Sequence, residues 1–265
     1  MASYLPSRVP HVGPSVRRPR SRLHHASLHP PRVPPALVVD LDDVIVVAPD
    51  HHGAIAETIV AYVAQLLRID RVDAAVLNRR LYSVHGHTLI GLREELGLRV
   101  TLAEFNAAVY SPGTLAAVSR LPKRPATAAR AAEVARLVAR MRGSGVSTYV
   151  FSNAPRAWCD FALREIGLAN LFAPDRILTS DAYAYAPLLD DLVLKPSSLS
   201  YELAQRSVGT DDIAFVDDSQ RNLAAAPSVW RKFLMCNGAA AETPASVIAI
   251  TSLDQLVGPP GALDM

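Results

Sequence analysis

The stretch Ala36-Leu37-Val38-Val39-Asp40-Leu41-Asp42-Asp43-Val44-Ile45 constrains the fold most, because a short β-branched run drives straight into carboxylates. An apolar run of this length, bounded by Pro-rich chain, reads as a strand buried on both faces in a parallel sheet. Open sheets of that kind place their chemistry outside the carboxyl ends of the strands. Asp40 and Asp42, one residue apart, therefore stand where such a sheet presents a reactive group. Three more clusters close predicted strands or loops further on: Val150-Phe151-Ser152-Asn153, Val193-Leu194-Lys195-Pro196 and Phe215-Val216-Asp217-Asp218.

Between the first two clusters the periodicity is helical. Ile55, Ile59, Tyr62, Val63, Leu66 and Leu67 recur on one helical face, and helical spacing continues over 74–96 and 102–110. Thr101 and Glu104 form a capping-box signature, and Pro122 and Pro125 punctuate the end of the block. After residue 125 helices and strands alternate: helix 126–142, strand 146–152, helix 155–167, strand 176–179, helix 197–208, strand 213–217 and helix 219–226. Apolar segments 232–236 and 247–250 and a final helix 252–257 follow. The expected fold is α/β, a Rossmann-like doubly wound parallel sheet with a small all-helical cap inserted after the first strand. The expected division is a core of 36–49 and 125–265, with 50–124 as the cap.

The formal net charge of +2 hides an uneven distribution. Residues 1–35 carry six Arg and no acid, which leaves 21 basic against 25 acidic residues in the remainder, near −4. The folded part thus has no basic excess for nucleic acid. The tail, rich in Pro, Arg, Ser and His, is expected to be disordered; its composition also resembles an organelle transit peptide. No stretch approaches the roughly 20 apolar residues of a membrane span, and the expectation is a cytoplasmic monomer or homodimer. Cys159 and Cys236 stand in no metal or redox spacing and read as thiols of a reducing compartment.

The four clusters together suit phosphoryl transfer to water. Asp40 can attack phosphorus, and Asp42 can protonate the leaving oxygen and later take a proton from water. Ser152 and Asn153 can bind phosphoryl oxygens, Lys195 can offset charge, and Asp217 and Asp218 can complete an oxygen cage for Mg²⁺ with Asp40 and Asp42.

In this order the clusters resemble the motifs of the haloacid dehalogenase superfamily of phosphohydrolases, over roughly residues 36–237. Leu81-Tyr82-x-x-x-Gly86-x-Thr88-Leu89-x-Gly91-Leu92 resembles the cap signature of its pyrimidine 5′-nucleotidase branch, as does Asp217-Asp218-Ser219-x-Arg221-Asn222. The resemblance implies Mg²⁺-dependent hydrolysis of nucleoside 5′-monophosphates, with a small phosphorylated metabolite as the only partner and with Thr88, Gly91 and His87 at the substrate. Tyr110-Ser111-Pro112-Gly113 replaces a His-Gly-Arg-Leu-Pro-like stretch of that branch. A phosphosugar phosphatase, a phosphomutase, a dehalogenase and a non-catalytic scaffold of the same fold are the alternatives. Asp42 argues against the dehalogenase, whose halide leaving group needs no proton. Asn222 is expected to brace the Asp218 loop, Arg221 to be a solvated helix residue, and Trp158 to pack. Tyr183 and Tyr185 are candidate rim residues.

Overall fold

The protein is described here by a computed structural model covering residues 35–182, 192–238 and 242–257. All but one residue of the expected tail, and Tyr183 and Tyr185, lie outside the described residues. Strands β1 (Ala36–Val39), β2 (Ser147–Ser152), β3 (Ile177–Thr179), β4 (Ile213–Asp217), β5 (Arg231–Met235) and β6 (Val247–Ile250) form one parallel sheet. The strand order is β3-β2-β1-β4-β5-β6. It reverses at β1, with β2 on one side and β4 on the other, which is where such sheets leave a crevice.

Alternation along β1 sends Leu37 and Val39 to one face and Ala36 and Val38 to the other. The first face packs with Val134, Leu137 and Met141 of helix α6 (Pro125–Gly143) and with Trp158 and Ala162 of helix α7 (Arg156–Glu165). The second packs with Tyr201 and Ala204 of α8 (Ser198–Val208) and Leu223 of α9 (Gln220–Ala225). Both faces are therefore covered, as the apolar run predicted. Val39 pairs with Val150 on one side and Val216 on the other. One rung further, Asp40 stands level with Asp217, and its amide donates to Val216 O at 2.9 Å.

Five helices separate β1 from α6: α1 (Pro49–Leu67), α2 (Arg71–His85), α3 (Thr88–Glu94), α4 (Leu102–Val109) and α5 (Pro112–Val118). The helical stretch expected over 74–96 is two helices. Gly86 ends α2 with φ +78°, and the His87 imidazole then accepts from the Leu89 amide to start α3. The Thr101–Glu104 capping box is present at α4. Ser111 caps α5, whose first residue is Pro112. The expected helix 252–257 is a 3-10 turn, Leu253–Val257. Both cysteines are buried and free. Among the described residues no helix is long and apolar enough to cross a membrane.

Gly91 lies where α3 crosses α2. A Cβ there would come within 2.8 Å of Leu81 Cβ and Cδ2 and 3.0 Å of His85 Cδ2. Gly91→Ala is expected to destabilise the protein by about 1–3 kcal/mol, because overpacking outweighs the helix-propensity gain of about 1 kcal/mol. Thermal melting checks this: an unchanged or raised Tm means that the helices separate at no cost.

Candidate active site

Lys195 organises the end of the sheet. Its ammonium is 1% exposed, 2.9 Å from Asp40 Oδ1, 2.8 Å from Asp217 Oδ2 and 2.9 Å from the Phe151 carbonyl. The Phe151 and Phe215 rings lie 5.1 and 5.6 Å from it. Burial disfavours its charge, but Asp217 and Asp40 overcome that and raise its pKa above the usual lysine value. Asp40 Oδ1 also accepts from the Leu41 amide at 2.7 Å, so Oδ2 is the oxygen left without a hydrogen bond among the described residues.

One ammonium does not balance the acids around it. Ligand oxygens of Asp40, Asp217 and Asp218 lie within 4.8 Å of one another. Burial first, then Asp217, Asp218 and Asp42, hold the Asp40 carboxyl well above its ordinary range against the opposing pull of Lys195. Burial and the neighbouring Asp217 and Asp43 push Asp218 up to about 7. Asp217 and Asp218 differ in what they are free to do. Asp217 is fully buried, and its oxygens accept from Lys195, from the Ser219 amide at 2.8 Å and from Asn222 Nδ2 at 3.0 and 3.1 Å. Asp218 faces the cleft.

Asp42 leans the other way. Trp158 Nε1 donates to its two oxygens at 3.0 and 3.2 Å, and His52 Nε2 lies 3.1 Å from Oδ1. The second ring nitrogen of His52 is 3.2 Å from Asp43 Oδ1. Burial lowers the His52 pKa, but hydrogen bonding and charge from Asp42 and Asp43 outweigh it and raise it to about 10, so the ring is an imidazolium at neutral pH. The sequence reading missed His52 and treated Trp158 as packing alone. Trp158 is buried, but it also holds the Asp42 carboxylate.

Several other expected residues stand in contacts that spacing alone does not show. Asn153 was expected on phosphoryl oxygens, yet its amide is bonded at both ends to the Lys195 backbone: Nδ2 to the carbonyl at 2.8 Å, and Oδ1 from the amide at 2.7 Å. It braces the Lys195 backbone and also borders the cleft. Gly91 is at the α2–α3 crossing and not among the residues bordering the cleft. Arg221 is exposed on α9, as expected, and its Nη2 also donates to the Ser83 carbonyl, 138 residues away, with Gly86 packed on its side chain. Asn222 braces Asp217 rather than Asp218. Ser152, His87 and Thr88 do border the cleft. The Ser152 hydroxyl accepts from the Ala154 amide at 3.0 Å, and burial drops the His87 pKa to about 4, leaving that ring neutral.

The cleft over the acids encloses about 360 Å³ and is bordered by Asp40, Asp42, Lys195, Asp218, Tyr82 and Arg221 among others. A second chamber of about 460 Å³ lies between α1 and α2 and shares Asp42, Asp43, Tyr82 and Thr88 with it. Tyr82 is 61% exposed, but into this cleft. Surrounding protein and the facing carboxylates push its hydroxyl up to about 12, so it stays protonated.

No family model matches the chain. Among solved structures it is similar to CbbY from Rhodobacter sphaeroides in complex with phosphate, with TM-score 0.57 and 19% identity over 87% of this chain and 99% of that one. It is also similar to a HAD phosphatase from Thermococcus onnurineus, with TM-score 0.52 and 16% identity over 84% and 95% of the two chains. The chain thus has the haloacid dehalogenase (HAD) type of α/β fold.

The crowded acids give a pH signature. Asp218 titrates near 7 when folded and near 3.8 ordinarily, so between these values the folded state holds a proton that the unfolded state has lost. With chelator present, stability should fall as pH rises through that window. His52, raised from 6.5 to about 10, adds a slope of the same sign only at higher pH. Asp40, whose carboxyl is also raised, adds slope of the same sign, so Asp218→Asn should reduce the pH 4–7 slope without abolishing it and raise the metal-free Tm at pH 7. Melting curves of both proteins across that range check it, and parallel curves would contradict it.

Proposed function

We propose that the protein is a Mg²⁺-dependent phosphohydrolase that acts on nucleoside 5′-monophosphates through an aspartyl-phosphate intermediate. The observation that carries the hydrolase reading is the Asp40–Lys195–Asp217 arrangement, which leaves Asp40 Oδ2 and Asp218 turned to the same cleft. Asp40 Oδ2 attacks phosphorus and the bond to the leaving oxygen breaks. Asp42, entering the step in its acid form, gives that oxygen its proton, then regains one from the water that hydrolyses the aspartyl phosphate. Trp158 and His52 keep the Asp42 carboxyl aimed between these tasks. Lys195 fixes Asp40 and stabilises charge gathering on the phosphoryl oxygens, and the Ser152 hydroxyl adds a donor.

An all-oxygen donor set crowded enough to push two carboxyls up in pKa fits a hard divalent cation. Asp40, Asp218 and the Asp42 carbonyl would hold magnesium, while Asp217, its oxygens already accepting, orients Lys195 and Asn222. When bound, the ion supplies neutralisation of the transferring phosphoryl group. Helices α1–α5 act as the cap that covers the site and selects the leaving group.

The nucleotide reading is supported by the second chamber, whose walls include Ile55, Ile59, Val60, Tyr82 and Trp158. An apolar and aromatic wall suits a flat base better than a ring of hydroxyls, each of which loses free energy if buried without a partner.

Phosphate release from nucleoside monophosphates and sugar phosphates, with Mg²⁺ or chelator, tests the proposal. Mg²⁺-dependent release from nucleotides is expected, with Asp40→Asn lowering it roughly a thousandfold or more. Release from sugar phosphates alone would retain the mechanism and overturn the substrate. Absence of release from any ester would overturn the hydrolase reading. Trp158→Phe, which keeps the packing and removes the bond to Asp42, should lower kcat about tenfold with less effect on KM; equal kcat would show that Asp42 needs no such support.

A further inference from the structure

The second chamber has an unusual polar inventory. Thr88 Oγ1 donates to Asn78 Oδ1 at 2.6 Å, which engages one lone pair of that oxygen and turns the amide so that Nδ2 stands on the other side of it. Arg79 borders the same space and forms no ion pair among the described residues. Its guanidinium donates only and never accepts. Glu57, the chamber's carboxylate outside the Asp42 and Asp43 end, is paired to Arg71 at 2.8 Å. The His52 nitrogens both face carboxylates, at 3.1 and 3.2 Å. Thr88 Oγ1 and Glu57 keep acceptor capacity at the edges of the chamber, while Arg79 and the Asn78 amide nitrogen add donors beside its apolar walls.

We infer that this chamber is a base-reading subsite in which Arg79 and Asn78 present donors to the carbonyl oxygens of a nucleobase, so that uracil is preferred to cytosine. The inference rests on the nucleotide reading above and names what would set its specificity. The volume of about 460 Å³ is ample for a base. Phosphate at the acids and base in the chamber place Asp42, which both spaces share, beside the ester oxygen between them. Uracil and thymine carry an O4 acceptor where cytosine carries an N4 amine, and guanine an O6 where adenine carries an N6 amine. An amine against this wall sets donor against donor and leaves both unpaired, whereas a carbonyl satisfies them.

The test is the ratio of kcat/KM for UMP to that for CMP, measured on the full-length protein with Mg²⁺. A ratio within one preparation cancels the fraction of molecules that are folded. The wild type is expected to favour UMP by roughly tenfold or more. Arg79→Ala should bring the ratio toward one. Asn78→Asp keeps an acceptor for Thr88 and turns the offered donor into an acceptor, so it should move the ratio toward CMP by about tenfold. Equal use of UMP and CMP by the wild type, or a ratio unmoved in both variants, overturns the inference and leaves the nucleotidase reading standing. Hydrolysis of sugar phosphates without nucleotides overturns that reading and the inference with it.

Discussion

A single buried ammonium ties the functional end of this molecule together. Lys195 has almost no contact with solvent, and a lysine in that position is tolerated only when its charge is paired and its protons are placed. Its three acceptors come from three adjoining strands or their ends: Asp40 after β1, Phe151 in β2 and Asp217 in β4. Its backbone is held in turn by Asn153. Removing either acid would leave a half-paired cation in a closed space, which typically costs about 3–5 kcal/mol. The same pairing explains the chemistry. Lys195 is shared by two acids and cannot also neutralise Asp218, so the end of the sheet keeps an excess of negative charge that attracts a cation.

The loop after β1 is the second constraint. Asp43 takes φ +59° without being glycine, a conformation that needs support. The support comes from distant chain. Asn237 donates to the Asp43 carbonyl at 2.6 Å, Arg130 to the Val44 carbonyl at 2.8 Å and Thr127 to the Val47 carbonyl at 2.6 Å. Helix α6 therefore fixes the loop that aims Asp42 at Trp158. The helical segment joins this frame where Asp50 at the start of α1 meets Arg124 just before α6, through contacts of 2.7 and 2.8 Å. That pair is half-exposed and weak on its own. Arg221 makes a separate contact to Ser83, so the helix after the Asp217-Asp218 pair touches α2 directly. That bond ties α2 to the chain three residues after Asp218.

The parts legible in the sequence were those whose signal is local. Short apolar runs marked the strands, because most of their side chains are buried between the sheet and its helices. Thr101 and Glu104 announced the start of α4 because a capping box closes within four residues. Local breaks were harder: Gly86 separates α2 from α3, yet the apolar spacing runs across it. The distant contacts of Asn153, Arg221 and Trp158 were hidden for one reason. Their decisive partners lie 42, 138 and 116 residues away, and a hydrogen bond across such distances leaves no pattern at either end. Ser-Asn before a helix looks like a cap whether or not the Asn reaches Lys195.

The two ends of the site differ in legibility for a physical reason. Phosphoryl transfer restricts residue type severely, since attack, proton transfer and charge neutralisation each require particular groups at strand ends. Binding a leaving group restricts residue type much less. Ile55, Ile59 and Val60 belong to the same helical stripe as Val63, which is fully buried among α1, α2 and α3. Nothing in the spacing separates the residues that border the chamber from those that pack beneath it. The distinction appears only when α2 is set beside α1, so that Asn78 and Arg79 stand across from that stripe. Specificity in such a scaffold can change through a few residues on two helix faces, while the strand-end chemistry stays held by the buried lysine.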